Sequence, residues 1–198
     1  AEAQREFYRA LDLSGKNREL ALRIADLWRK AGWPLVMGED GDPEAGYTCF
    51  HNARAMLRKF DGSNDILAQV QRGLAIAASM LGEHEEAVAL CREAVTGDAE
   101  ERAKLLNTEA IALNKLGRGA EARRCAEEAL TLSPDAGMKA KLRQSIGVAR
   151  ILEGDPAGAL PLLSHGLLRA WALVEAGRWK EVLDVLKADR SRGHLFRA

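Results

Sequence analysis

Aromatic side chains make up only 5% of the chain, and just five prolines are spread over 198 residues. Strands favour aromatic and β-branched residues, and proline breaks helix interiors, so these two shortages favour long uninterrupted helices and an all-α fold. Cysteine is rarer still. Cys49, Cys91 and Cys125 are odd in number and supply no disulfide framework, which makes a reducing, cytoplasmic compartment the expectation. No apolar run of about 18 residues occurs and no secretory apolar region is present, so neither a membrane span nor an export signal is read here. The first residues, Ala1-Glu2-Ala3, lack a methionine, as an excised domain or a processed N-terminus would. Net charge is missing too: 29 basic residues balance 29 acidic ones, which removes any global attraction to nucleic acid or an anionic membrane.

What the chain does have is 47% hydrophobic and 29% charged residues, enough for a sizeable core in one domain. It also has a recurring glycine phrase. LGEHEEAVALCREAV runs from Leu81 to Val95, LGRGAEARRCAEEALTLSP from Leu116 to Pro134, EGDPAGALPLL from Glu153 to Leu163, and AGRWKEVLDVL from Ala176 to Leu186. Gly82, Gly117 and Gly154 are 35 and 37 residues apart, whereas Gly177 follows Gly154 by only 23. A fixed period of this length marks a stack of helical hairpins. The short last interval predicts that the final hairpin has lost about one helix, or that Gly177 sits in a differently built cap.

Small residues recur in register with the glycines. Ala75, Ala110, Gly147 and Ala170 stand seven positions before them, and Ala87, Ala122, Ala159 and Val182 five positions after. Four residues further on come Cys91, Ala126, Leu163 and Leu186, and Pro134 closes the second phrase. On these residues the chain resembles the tetratricopeptide-repeat family, with degenerate copies that lack the aromatic knob of the family's Ala-x-x-x-Phe pattern. The resemblance implies an antiparallel helix-hairpin solenoid with a right-handed superhelical path. The coherent block is Ala68 to Glu153. The whole chain reads as a single helical domain: irregular N-terminal helices over 1–62, regular repeats over 63–165, and a shortened C-terminal hairpin and tail over 166–198.

Punctuation places the helices. Asp98 or a neighbour caps a run from Ala99 to Leu116, Ala120 to Leu132 returns, Ser133-Pro134-Asp135 opens the run to Leu152, and Asp155-Pro156 starts the next. Upstream, Asp61-Gly62-Ser63-Asn64 separates Ala45–Phe60 from Ile66–Leu81, and Ser14-Gly15-Lys16-Asn17 separates Glu2–Leu13 from Arg18–Ala31. Residues 32–43 contain three glycines and two prolines, and this density of breakers predicts a loop. Its apolar start (Trp33, Leu35, Val36, Met37) either tucks onto the first helices while the acids face water, or makes a partner-contact loop.

Catalytic and metal motifs are absent. Asp40, Asp42 and Glu44 alternate as calcium ligands do, but His51 stands where a calcium loop begun at Asp40 needs its bidentate glutamate. Cys49 and His51 have no second metal-spaced pair, and two residues apart on a helix they diverge too far to act as nucleophile and base. No phosphate loop, HExxH or GxSxG phrase occurs. The expectation is a protein that is not an enzyme and carries no cofactor or metal.

In tetratricopeptide solenoids the first helices of successive hairpins line a concave groove. Carried over by register, the groove residues are Gln69, Arg72, Ile76 and Ser79, then Lys104, Asn107, Ile111 and Asn114, then Lys141, Gln144, Val148 and Ile151. Amides to hold a peptide backbone, aliphatics to take its side chains and cations to meet its acids suit a peptide or protein segment. Some family members clamp a C-terminal carboxylate on this face. Arg72 and Lys141 match that clamp, but Ile76 and Thr108 stand where asparagines are needed and Ser145 where an arginine is. A different acidic or amphipathic peptide is therefore expected. The resemblance implies a scaffold or adaptor; the alternative is a regulatory domain of a larger protein, such as a bacterial transcriptional regulator or assembly factor. Trp179, Val182, Leu183, Val185 and Leu186 give the last helix an apolar face for docking, including as a homo-oligomer.

Overall fold

In the computed structural model, residues 17–60, 62–132, 135–164 and 166–191 are described, together with Arg5 and Arg9. Ten helices follow one another among these residues. They are α1 (Arg18–Met37), α2 (Pro43–Lys59), α3 (Asn64–Met80), α4 (His84–Glu93), α5 (Ala99–Lys115), α6 (Gly119–Leu132), α7 (Ala136–Leu152), α8 (Pro156–Ala159), α9 (Gly166–Glu175) and α10 (Trp179–Ser191). No described residue lies in a strand. Consecutive helices pack as pairs, and α3, α5 and α7 also touch one another across the intervening turns, which makes the chain an all-α helical-repeat solenoid.

The glycine phrase is a helix stop repeated four times. Gly82, Gly117, Gly154 and Gly177 take φ of 90°, 75°, 82° and 69°, the left-handed region that costs glycine nothing. After each, the next backbone N–H reaches back over the turn: Glu83 donates to Ala78, Arg118 to Leu113, Asp155 to Arg150 and Arg178 to Leu173, at 2.8 to 2.9 Å. This is the same cap each time, in which the carbonyls left over at a helix end are satisfied within the turn. Helix starts are equally regular. Asn17, Asp42, Asp98, Asp135 and Asp155 each accept a hydrogen bond from a backbone N–H in the first turn that follows.

The small residues in register with the glycines are where helices cross. Ala75, Ala110, Ala87, Ala122, Ala126 and Ala159 are fully buried, and Cys91 and Leu163 are nearly so. Gly147 is held by the same logic, since a Cβ there would lie 2.7 Å from the Leu163 side chain. A continuous core runs from Ala25 to Ala149, and a second, smaller one gathers Ile151, Leu160, Leu163, Leu173 and Val182.

A charged clasp joins the middle units on another face. Arg92 on α4 donates to the buried Glu109 on α5 at 2.6 Å and to Glu121 on α6 at 3.1 Å. Arg118 donates to Glu121 at 2.8 Å and to Glu85 at 3.2 Å. Hydrogen bonds from Arg118 and Arg92 pull the Glu121 carboxyl down to about 2.

Three expectations change. The loop over residues 32–43 is not a loop throughout: α1 continues through Pro34 to Met37, and only Gly38–Asp42 links it to α2. Tertiary packing overrides the local breakers. Gly32 lies against the Phe50 ring, Trp33 meets that ring edge-on with centroids 5.1 Å apart, and Val36 is buried where α2 presents Gly46. Asp42 is the N-cap of α2, which accounts for one acid of the alternating acidic turn. The helix expected after Asp155-Pro156 is a single turn, α8, because Pro161 has no N–H for the fourth residue before it and crowds that residue's carbonyl. The missing helix therefore belongs to the third hairpin, while Gly177 sits in the same cap as the others. The run Glu2–Leu13 and the turn at Ser133-Pro134 fall outside the described residues, apart from Arg5 and Arg9.

Candidate functional site: the concave groove

Stripes of residues spaced three or four apart face one hollow. On α3 the stripe is Arg72, Ile76 and Met80; on α5 it is Asn107, Ile111 and Lys115; on α7, Met138, Lys141, Gln144, Ser145 and Val148 take part. Two clefts result, of about 690 and 570 Å³. They meet at Asn107, Ile111, Lys115 and Lys141, which line both. The larger cleft is walled by Met37, Met80 and Met138 and the smaller by Val148, Leu168 and Trp171. Each is of a size that takes a small ligand or a few side chains.

The truncation of α8 shapes the far end. With one turn in place of a full second helix, α9 follows α8 after a few residues and sets Leu168 and Trp171 across the end of the groove. Trp171 is steadied by its indole N–H, which donates to Glu175 at 3.1 Å.

Of the residues carried over by register, Arg72, Ile76, Ser79, Lys104, Asn107, Ile111, Asn114, Lys141, Gln144 and Val148 line one or both clefts. Two do not. Gln69 accepts a hydrogen bond from Arg29 of α1 at 3.2 Å, so the N-terminal helix occupies that end of the face. Ile151 is buried in the second core with Leu160 and Leu163.

Within the groove the polar residues divide by role. Ser145 donates its hydroxyl to Asn107 at 3.3 Å, and Asn114 donates its amide to the Ser145 carbonyl at 2.9 Å, so this trio ties α5 to α7. The side-chain oxygen of Asn114 is buried without a partner. Arg72 pairs with the buried Glu101 at 2.6 Å and lies 4.5 Å from the Trp33 ring centre. Lys104 is held by Glu100 at 2.6 Å. Ile111 is 42% exposed in the middle of the face.

Met80 and Lys115 are the next residues along stripes already recognised, one turn beyond Ile76 and Ile111, and extending each stripe by four positions finds them. Met37 was hidden by the glycines and prolines around it. The 23-residue interval before Gly177 was the only sign that α9 would swing Leu168 and Trp171 into place.

Cys49 and His51 do not come together as a nucleophile and base. Cys49 is buried, while His51 is exposed with its ring stacked on Tyr47, 6.3 Å between centroids. No cluster of three His, Cys, Asp or Glu side chains able to hold a metal occurs among the described residues. Burial pushes all three thiols up, Cys125 to about 12 with Glu109 adding to the effect, and Cys49 and Cys91 also above the ordinary thiol range. At pH 8 Cys91 and Cys125 of the native protein are therefore expected to react with a disulfide reagent at least about a hundredfold more slowly than in the denatured chain. Thiol titration followed by absorbance checks this, and either of the two reacting at the denatured rate would contradict the burial.

On α10, Trp179 and Leu183 are 63% and 59% exposed, whereas Val182 is buried against α9 and Val185 and Leu186 partly so. No described helix is long and apolar enough to cross a membrane. No curated protein matches the chain. A family model described as Tetratricopeptide repeat matches residues 68–93 and 105–128, which cover most of α3 and α4 and much of α5 and α6.

Proposed function

We propose that this chain, whose residues 68–93 and 105–128 match the tetratricopeptide-repeat model, is an adaptor holding a segment of another protein in its concave groove, since such repeats generally mediate protein–protein contacts. The family is typically a non-catalytic scaffold, and the reading requires no chemistry at the site. One observation carries it: Ile111, 42% exposed, stands where two apolar-walled clefts join across three successive units. An exposed aliphatic at the centre of a concave face is the arrangement that a ligand's side chains cover.

Selection of a displayed random peptide library on the full chain tests the reading. Enriched peptides are expected to lose binding on Ile111→Asp, with the helical circular dichroism unchanged. Peptides that bind the variant as well as the parent would place the contact elsewhere and remove the groove from consideration.

A further inference from the structure

The chain is neutral as a whole, yet its charges are sorted. None of the described acidic side chains lines either cleft, while Arg72, Lys104, Lys115 and Lys141 all line the larger one. Arg72 and Lys104 are already committed to Glu101 and Glu100. Lys115 and Lys141 have no ion-pair partner among the described residues, and both stand at the junction of the two clefts. On one side of them lie three of the chain's four methionines, with Met37 and Met80 65% and 52% exposed. On the other side lie Val148, Leu168 and Trp171.

Resting on the groove reading, we propose that the ligand is an acidic amphipathic segment with two apolar anchors flanking a negatively charged centre. Its carboxylates lie over Lys115 and Lys141, one anchor enters the methionine cleft and the other meets Trp171. Unbranched thioethers adapt to different apolar side chains, so the methionine side tolerates variety in its anchor. The Trp171 side is a fixed wall that selects by shape. The two lysines at the junction set the sign of the partner, since a basic segment would bury like charges face to face. Nucleic acid is disfavoured by the same inventory: two unpaired cations between aliphatic and thioether walls give neither a basic track for a phosphate backbone nor a run of stacking rings.

Fluorescence anisotropy of the full chain with three labelled synthetic helical peptides decides the matter. All three keep one leucine pattern, and their remaining positions are glutamate, glutamine or lysine. The glutamate peptide is expected to bind about tenfold or more tighter than the glutamine peptide at low salt, with the advantage shrinking as salt rises. Lys115→Glu/Lys141→Glu is expected to abolish that advantage and transfer preference to the lysine peptide. The same charge change off the groove, Arg124→Glu/Arg143→Glu, leaves it intact. Equal binding of the glutamate and glutamine peptides, each lost on Ile111→Asp, overturns the acidic ligand while the groove reading stands. Binding that survives Ile111→Asp overturns both. Binding of none of the three, or preference for a labelled oligo-dT strand, also overturns the proposal.

Discussion

Arg72→Met is expected to destabilise the fold by about 3 kcal/mol, although Arg72 lines the groove and carries a charge that a ligand would seek. Its guanidinium donates to Glu101 at 2.6 Å and lies over Trp33, and Glu101 is only 3% exposed. Removing the arginine strands a buried carboxylate whose nearest remaining cation, Lys104, is 3.9 Å away. Breaking such a pair from one side is costly, whereas replacing both partners with apolar groups is close to neutral. The double variant Arg72→Met/Glu101→Leu should therefore recover most of the loss. Urea unfolding measures both. A single variant within about 0.5 kcal/mol of the parent would show that the pair is solvated in solution and that Arg72 is available to a ligand after all. With the expected result, loss of binding on substitution of Arg72 reports on the fold, and Ile111, Lys115 and Lys141 are the positions that test the groove.

The second large effect centres on Phe50. Its ring is fully buried between two helices that give it room by carrying glycine: a Cβ at Gly73 would lie 2.5 Å from ring carbons, and one at Gly32 2.9 Å. Phe50→Ala leaves that space empty and is expected to cost about 3–5 kcal/mol. The companion test is a reversal of sign. Glycine to alanine inside a helix ordinarily stabilises by about 1 kcal/mol, yet Gly73→Ala is expected to destabilise by about 1–3 kcal/mol because the ring has no room to retreat. Shrinking the ring with Phe50→Leu in the Gly73→Ala background should restore part of the loss. A shift in urea midpoint at constant slope reads all three. A stabilised Gly73→Ala protein would mean that the ring is not pinned between the two glycines.

Where structure follows from a residue's own neighbours, the sequence was enough. Each turn glycine carries its cap with it, because the left-handed backbone and the reaching N–H lie within six residues. The alanines that bring helices together kept step with those glycines. Elements decided by distant chain did not show in the same way. Breakers at residues 32–43 predicted a loop from local preference, but the Phe50 ring and Gly46, on another helix, hold Gly32 to Met37 helical. Gln69 fits the groove register, yet Arg29, 40 residues earlier, holds it out of reach. Pro161 limits the third hairpin to one turn of second helix, but where α9 then goes, closing the groove with Leu168 and Trp171, depends on packing against distant chain.

The clasp around Arg92 bears on how the stack comes apart. In a linear array each unit leans only on its neighbours, so hairpins can peel away one at a time from an end. Arg92 reaches from α4 to α5 and on to α6, and the first of its two partners, Glu109, is shut away from water. Lifting α4 away would strand the buried Glu109, so α4 and α5 are expected to open together rather than singly. The groove floor on α5 thereby keeps its shape while outer hairpins peel away.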